Sequence, residues 1–134
     1  MILTIPSLLI FTPVYERQTG NGQDIIDRPD SAVMFHWNRL TIIADHSHQN
    51  NFSNLNRAIP GKTKLYLISG RVQAFVCDST EIGFIYRTPM MNVLHNSKGE
   101  ELYRLGLDGL VIYTCVAQKT PNVVDVRLTH WHKI

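Results

Sequence analysis

Three residues that could carry covalent chemistry stand at or near the ends of apolar runs in this sequence. His46 follows the run 40–44, Cys115 closes the run 110–114, and Arg127 lies in the next run, 123–128. Consecutive strands joined by a short polar loop usually pair antiparallel, so Cys115 and Arg127 are predicted to lie close together on neighbouring strands. A thiol nucleophile, a proton-transfer group and a cation that stabilises negative charge would then meet at one place.

The elements that must position these residues are mostly strands. Short runs rich in β-branched and aromatic residues are separated by Gly, Pro, Asn and Asp, a pattern typical of an all-β sandwich or barrel. The predicted strands cover residues 4–5, 9–12, 32–35, 40–44, 64–69, 71–78, 93–95, 111–115 and 123–131. Turn signals stand between them at Pro60-Gly61, Ser69-Gly70, Lys98-Gly99 and Asp108-Gly109, and Ser69-Gly70 predicts a tight hairpin.

Helical segments are predicted to be few and short. Residues 23–26 are expected to make one turn and residues 52–56 a second, with Ser53 as its N-cap. Residues 100–105 are expected to make a third turn, which Gly106 ends because glycine favours the left-handed backbone found after helices.

The composition predicts one globular domain over residues 1–134. Hydrophobic residues make up 44% and charged residues 18%, which is too apolar for a disordered chain. A formal net charge of +2, without clustered basic residues, predicts no nucleic-acid partner. No apolar run approaches the ~20 residues of a membrane helix, and residues 1–14 lack the basic start of a signal peptide.

Each candidate residue also has an ordinary interpretation. A cysteine at the end of an apolar strand is often a small buried hydrophobe, and taken alone each of Cys77 and Cys115 is best interpreted in that way. The two cysteines allow one disulfide at most and lack the CxxC spacing of a structural zinc site. His46 and His48 have metal-ligand spacing, but no carboxylate follows where a third ligand would be needed. Alternation places Arg127 on the polar face of its strand, where it either faces solvent or lines a groove.

The candidate residues belong to motifs spread over nearly the whole chain. A Thr-Cys pair ends the apolar segment 111–115, and Arg127 follows 12 residues after Cys115. His46 precedes the Phe-x-x-Leu segment Phe52-Ser53-Asn54-Leu55, and the chain opens with Ile5-Pro6-Ser7-Leu8 and then Pro13-Val14-Tyr15. In this order along the chain, the motifs resemble those of the sortases, which are cysteine transpeptidases.

The resemblance implies a closed sortase-type β-barrel with a few short helical turns. It also implies a catalytic set of His46, Cys115 and Arg127. Thr114 beside Cys115 is a candidate substrate contact, and an ordinary strand residue is the equally favoured alternative. The implied reaction cleaves a sorting-signal peptide of a surface protein through a thioester and transfers it to an amine of the cell wall or a pilin. No cofactor is implied, and a calcium site is not indicated because Asp78, Glu81, Glu100 and Glu101 follow no recognisable loop pattern. The implied location is the extracellular surface of a Gram-positive cell, with the membrane anchor absent from this chain.

Departures from the sortase pattern keep other functions open. Asp45 precedes His46 where the family usually has Gly, and it is expected either to bond the imidazole or, as we slightly favour, to cap the following loop. Position 111 is Val instead of Thr, and residues 78–111 are short for the segment that shapes the family's substrate groove. A catalytically inactive sortase-fold binding module and a thiol hydrolase of the same fold remain alternatives. A papain-like protease is disfavoured because that family places its Cys before its His.

Overall fold

The computed structural model describes residues 1–17, 30–89 and 92–134. Within these ranges the chain forms nine strands and three short 3₁₀ helices, labelled β1–β9 and η1–η3. The strands are β1 (Ile2–Ile5), β2 (Ile10–Glu16), β3 (Ala32–Trp37), β4 (Leu40–Asp45), β5 (Lys64–Ser69), β6 (Arg71–Arg87), β7 (Asn92–His95), β8 (Gly109–Thr120) and β9 (Val123–Lys133). The helices are η1 (Pro6–Leu8), η2 (Phe52–Arg57) and η3 (Leu102–Arg104), and no helix in the described ranges has the length and apolar character needed to cross a membrane.

The strands close into an eight-stranded barrel. Their order is β5-β1-β2-β3-β4-β8-β9-β6, and a further pairing of β5 with β6 joins the two ends. β7 lies outside this ring and pairs with the second half of β6. Two of the pairings, β2 with β3 and β4 with β8, are parallel, so β4 and β8 end at the same edge of the sheet. The predicted closed β-barrel is confirmed.

All nine predicted strands are present, but two of them are much longer than predicted. The strand predicted over 71–78 continues to Arg87, because its second half pairs with β9 and β7 after a bulge between Cys77 and Ser79. The predicted polar loop 116–122 is strand as far as Thr120, with the turn at Pro121 and Asn122. The antiparallel pairing of β8 with β9 was predicted correctly. Both extensions are rich in polar residues, so the sequence pattern did not indicate a strand there. They form strands because pairing with a neighbouring strand can override a weak intrinsic preference.

The short helical turns follow the predictions in two of three places. η2 and η3 lie within or close to the predicted segments 52–56 and 100–105, whereas the predicted turn 23–26 lies outside the described residues. The prediction of Ser53 as an N-cap is wrong. The cap position of η2 is Asn51, whose φ of 62° places it in the left-handed region that asparagine tolerates, and Ser53 lies inside the helix. The hairpin at Ser69-Gly70 is confirmed, and Gly70 supplies the positive φ of 72° that so tight a turn requires.

Two apolar clusters pack on opposite faces of the central strands, β3, β4, β8 and β9. The interior core draws residues from all eight barrel strands and includes Ile43, Ile112 and Trp131. The outer core contains the alternate residues of the same strands, such as Ala44 and Tyr113, and is completed by residues of β6, β7 and η3. Because both faces of these strands are covered, the chain segments at their ends are held in fixed positions. Those ends carry the candidate residues.

Glu81 links β6 to β9 and to the turn that follows β7. One carboxylate oxygen accepts a hydrogen bond from the backbone N–H of Ser97 at 2.7 Å, and the other lies 2.6 Å from Nε2 of His130 on β9. Burial alone would raise the pKa of Glu81, but the hydrogen bonds from Ser97 and the contact with His130 outweigh it and lower the pKa. The ionised carboxylate therefore holds the turn after β7 against β6 and β9.

We expect Glu81→Gln to lower the free energy of unfolding by about 1–2 kcal/mol at neutral pH, since it weakens hydrogen bonds to a charged group. The stabilisation by Glu81 should be complete above the unfolded pKa of about 4.3 and disappear as the pH falls through the lower folded value. Urea unfolding of both proteins at pH 7 and near pH 3 measures this difference. Glu16→Gln is the matched control, because the Glu16–His36 pair is exposed and should contribute less. An unfolding difference that persists unchanged in acid would contradict this role of Glu81.

Candidate active site at the ends of β4 and β8

The strand register brings the three predicted site residues to one edge of the barrel. Asp45 and Thr114 form the last parallel pair of β4 and β8, so His46 follows directly at the level of Cys115. On the other side of β8, Thr114 pairs with Arg127 and Cys115 pairs with Val126. His46, Cys115 and Arg127 are far apart in the chain, but they therefore lie at nearly the same level, in one row across β4, β8 and β9.

A cavity of about 230 Å³ opens beside this row. It is lined by the end of β8, by Arg127, by the turn after β4 and by η2: Ser47, Ser53, Asn56, Thr114, Cys115, Val116 and Arg127. β8 bulges between Cys115 and Ala117, which places an extra residue, Val116, at the rim. His46 is not part of the lining, although its neighbour Ser47 is. Cys115 and Arg127 thus both line the cavity, whereas His46 is only a chain neighbour of the lining residue Ser47.

Arg127 lines this cavity, and its side chain is half-buried. Its Nε is buried and has no hydrogen-bond partner in the part of the chain that the structure describes. Buried donors are almost always paired, because leaving a donor without a hydrogen bond costs about 1–3 kcal/mol. Since Nε itself is not accessible, it is the positive charge of the guanidinium that is suited to stabilise an oxygen of a ligand in the cavity.

Thr114 is buried, and its hydroxyl already has a partner in the protein. Its Oγ1 donates to the backbone oxygen of Asp45 at 2.8 Å, which adds a side-chain link between β4 and β8. This bond fixes the row that carries the candidate residues. Thr114 also lines the cavity, so its prediction as a substrate contact remains a proposal.

Asp45 caps the turn that follows β4, which is the favoured one of its two predicted roles. Its Oδ1 accepts the backbone N–H of His46 at 2.8 Å, and its Oδ2 accepts Nδ2 of Asn50 at 2.7 Å. Burial raises the pKa of Asp45, and the hydrogen bonds from Asn50 and His46 oppose that rise. Asn50 and Asn51 take positive φ values of 53° and 62°, which asparagine accepts more readily than most residues.

Removing this cap should loosen the turn and destabilise the fold. We expect Asp45→Ala to lower the free energy of unfolding by about 1–3 kcal/mol, because His46 N–H and Asn50 both lose their acceptor. Asp45→Asn is the matched variant and should cost less, since its side-chain oxygen can still accept one of the two bonds. Urea unfolding at neutral pH measures both values. Equal stability of Asp45→Ala and the unchanged protein would contradict the capping role.

The two histidines of the turn lie together with their rings stacked. The rings of His46 and His48 stack at 5.3 Å between centroids, with His46 half-buried and His48 exposed. Among the residues that the structure describes, no group of three His, Cys, Asp or Glu side chains could share a metal ion. The carboxylates weighed as calcium ligands each contact a protein donor: Asp78 contacts His132, Glu81 contacts His130, Glu100 contacts Asn96 and Glu101 contacts Arg104.

The two cysteines have different environments, and neither forms a disulfide. Cys77 has no exposed surface and packs in the interior core, as predicted; burial raises its pKa to about 11. Cys115 is half-buried, packs against the outer core and reaches the cavity. Burial raises the pKa of the Cys115 thiol, and the positive charge of Arg87 opposes that rise. Arg87 was not predicted near Cys115, because only the pairing of β6 with β9 brings this distant residue towards it.

The similarity of this chain to known proteins lies in its structure. No protein-family model matches the sequence, and no curated protein sequence matches it. Among solved structures, the chain is similar to a pilus-related sortase C of Group B Streptococcus, with 19% identity and a TM-score of 0.60 over 99% of this chain and 66% of that chain. It is also similar to sortase C1 of Streptococcus suis, with 16% identity and a TM-score of 0.63 over 99% and 71% of the two chains. Sortase A of Listeria monocytogenes gives 13% identity and a TM-score of 0.58 over 99% and 88%.

These similarities define the class of fold. The chain has a sortase-like fold, with nearly its whole length aligned in each comparison. It spans just under two thirds of the Group B Streptococcus sortase C chain. Because one fold can host several functions, activity has to be argued from the site itself.

Proposed function

We propose that this protein is a sortase-like cysteine transpeptidase that acts on the sorting-signal peptide of a surface protein. The observation that supports it most is the cavity that both Cys115 and Arg127 line, at the strand ends where His46 follows the register at the level of Cys115. A peptide carbonyl in this cavity would meet a nucleophile on one side and a fixed cation on the other. The proposed acceptor is an amine of the cell wall or of a pilin.

The first step is attack of the Cys115 thiolate on the carbonyl carbon of the scissile peptide bond. A carbon–sulfur bond forms, and the electron pair of the carbonyl moves onto its oxygen, where Arg127 stabilises the negative charge. When the carbonyl re-forms, the carbon–nitrogen bond breaks and the leaving amine takes a proton from His46 acting as a general acid. The product of this step is a thioester on Cys115 and a free amine fragment.

The second step transfers the acyl group. The acceptor amine attacks the thioester carbon, loses its proton to His46 and forms a new amide bond, while the Cys115 sulfur leaves as the thiolate. Water in place of the amine would give hydrolysis by the same two steps. The thiol hydrolase alternative therefore uses the same residues and differs only in the acceptor.

A fluorogenic library of sorting-signal peptides tests the proposal when it is incubated with the protein, with and without an added amine. The proposal expects cleavage of a subset of peptides and a ligated product when the amine is present. Cleavage without ligation would favour the hydrolase. No cleavage of any peptide would overturn the proposed activity.

A catalytically inactive binding module is the second candidate, and one observation favours it. The pKa of Cys115 is raised by burial, which keeps the sulfur as the less reactive thiol near neutral pH. A module of this kind should bind a sorting-signal peptide in the same cavity without forming a covalent adduct. Peptide binding measured by fluorescence anisotropy, together with an absence of cleavage, would identify it.

A further inference from the structure

Cys115 and Arg87 share one face of the sheet formed by β8, β9 and β6. Cys115 pairs with Val126 of β9, and Val126 in turn pairs with Gly83 of β6. Paired residues of antiparallel strands lie on the same face, and alternate residues of one strand return to that face. Gly83, Ile85 and Arg87 therefore follow one another along β6 on the Cys115 face, and Ile85 packs in the outer core against which Cys115 lies.

Arg127 approaches Cys115 from the other face. Its partner across β8 is Thr114, the neighbour of Cys115, so the side chains of Arg127 and Cys115 leave the sheet in opposite directions. Both residues border the cavity, because it lies at the bulged edge of β8. The two guanidinium groups near the site are thus separated by the sheet, with Arg87 on the sulfur side.

The position of Arg87 is fixed at its backbone. Arg87 ends β6, and its N–H donates to the carbonyl oxygen of Asn122 in the β8–β9 turn at 2.7 Å. Its exposed side chain forms no ion pair with any residue in the ranges 1–17, 30–89 and 92–134. Its charge is therefore not neutralised by a described carboxylate.

The other charged and titratable groups around Cys115 do not replace Arg87. Tyr113 on the same strand and Tyr103 of η3 are buried phenols whose pKa values are raised by burial, so they stay neutral. Asp125 on β9 is paired with Nζ of Lys119 at 3.5 Å. His46 follows β4 at the level of Cys115, and Arg127 lies on the opposite face.

We propose that Arg87 is a positioning residue that stabilises the thiolate form of Cys115. Two guanidinium groups, those of Arg87 and Arg127, would then have separate roles at the site. The inference deepens the proposed function, in which Arg127 serves the bound carbonyl oxygen and the thiolate is the attacking group. The direction of the electrostatic interaction agrees with this role. The positive charge of Arg87 favours the charged sulfur and so lowers the pKa of Cys115, against the rise that burial causes.

The test follows the alkylation of Cys115 by iodoacetamide as a function of pH, with the modified residue identified by peptide mass spectrometry. Arg87→Gln should move the midpoint of the profile upward and slow alkylation about threefold at a pH below the midpoint, as expected for an exposed charge pair. Arg87→Lys should restore most of the rate, since it keeps the charge. Arg71→Gln, an exposed arginine at the other end of β6, should leave the profile unchanged.

An unshifted profile in Arg87→Gln, or an equal shift in Arg71→Gln, would overturn the inference. Buried Cys77 reports on folding in the same experiment, because it should remain unmodified in every folded variant. If Arg87→Gln does not fold, the salt dependence of the unchanged protein decides the question. Screening by about 1 M salt should raise the midpoint, and a constant midpoint would contradict the role of Arg87. Alkylation needs no peptide, so the two proposals can fail separately. A shifted alkylation profile together with an absence of peptide cleavage would support the role of Arg87 and overturn the transpeptidase activity.

Discussion

Cys115→Ala should cleave sorting-signal peptides at least about 10³-fold more slowly than the unchanged protein, because the covalent step has no other nucleophile. Cys115 is the cysteine that reaches the cavity, and the other cysteine, Cys77, has no exposed surface. The stability of the variant should change little, since the thiol is only half-buried. Initial rates of cleavage of a fluorogenic peptide measure the effect.

Cys77→Ala is the matched control for this prediction. It removes the buried sulfur from the interior core and should lower the free energy of unfolding by about 1–2 kcal/mol, with cleavage unaffected in the folded fraction. Two outcomes would contradict the assignment of the nucleophile. One is undiminished cleavage by Cys115→Ala, and the other is an equal loss in Cys77→Ala while the protein stays folded.

Arg127→Gln should lower kcat/KM by about 10²–10³-fold, the usual cost of removing a donor to a developing oxyanion. The loss should fall on kcat more than on KM, because the negative charge on the carbonyl oxygen exists only in the transition state. The stability of the protein should be unchanged or slightly improved, since Nε of Arg127 is buried without a partner among the described residues. Steady-state kinetics and urea unfolding of the same preparation separate these effects.

Arg127→Lys tests whether the geometry of the guanidinium matters in addition to its charge. Lysine keeps the charge but not the planar set of donors, so it should recover only part of the lost rate. Arg71→Gln, on an exposed part of β6, should behave like the unchanged protein. A loss in Arg127→Gln that appears only in KM would indicate that Arg127 binds the peptide without acting on the transition state.

The all-β class could be predicted because the strands that build the barrel are strongly apolar, whereas the closed barrel was implied only by the resemblance to sortases. The run 40–44 and the run 110–114 are buried on both faces, and such segments are recognisable without knowledge of their partners. The second half of β6 escaped prediction since its polar residues, including Glu81, satisfy partners on β9 and in the turn after β7. Those partners are contributed by distant parts of the chain.

The proximity of the candidate residues could be predicted in part. Their residue types and strand ends singled out His46, Cys115 and Arg127, and the register places all three at one edge of the barrel. Their catalytic roles were implied by the resemblance to sortases and stay predictions. The face of the sheet on which each candidate side chain lies could not be predicted, because it depends on how β8 pairs with β9 and on where β8 bulges. The pairing of β6 with β9 also brings Arg87 to the face of the sheet that carries the Cys115 sulfur, and no local pattern in the sequence predicts this.

Mass spectrometry of the covalent intermediate tests the central claim most directly. The protein is incubated with the peptide library without an added amine, quenched in acid and analysed both intact and after digestion. We predict an acyl adduct on the peptide that contains Cys115, removable by hydroxylamine and absent from Cys115→Ala. Absence of any adduct, or an adduct that persists in Cys115→Ala, would contradict the account.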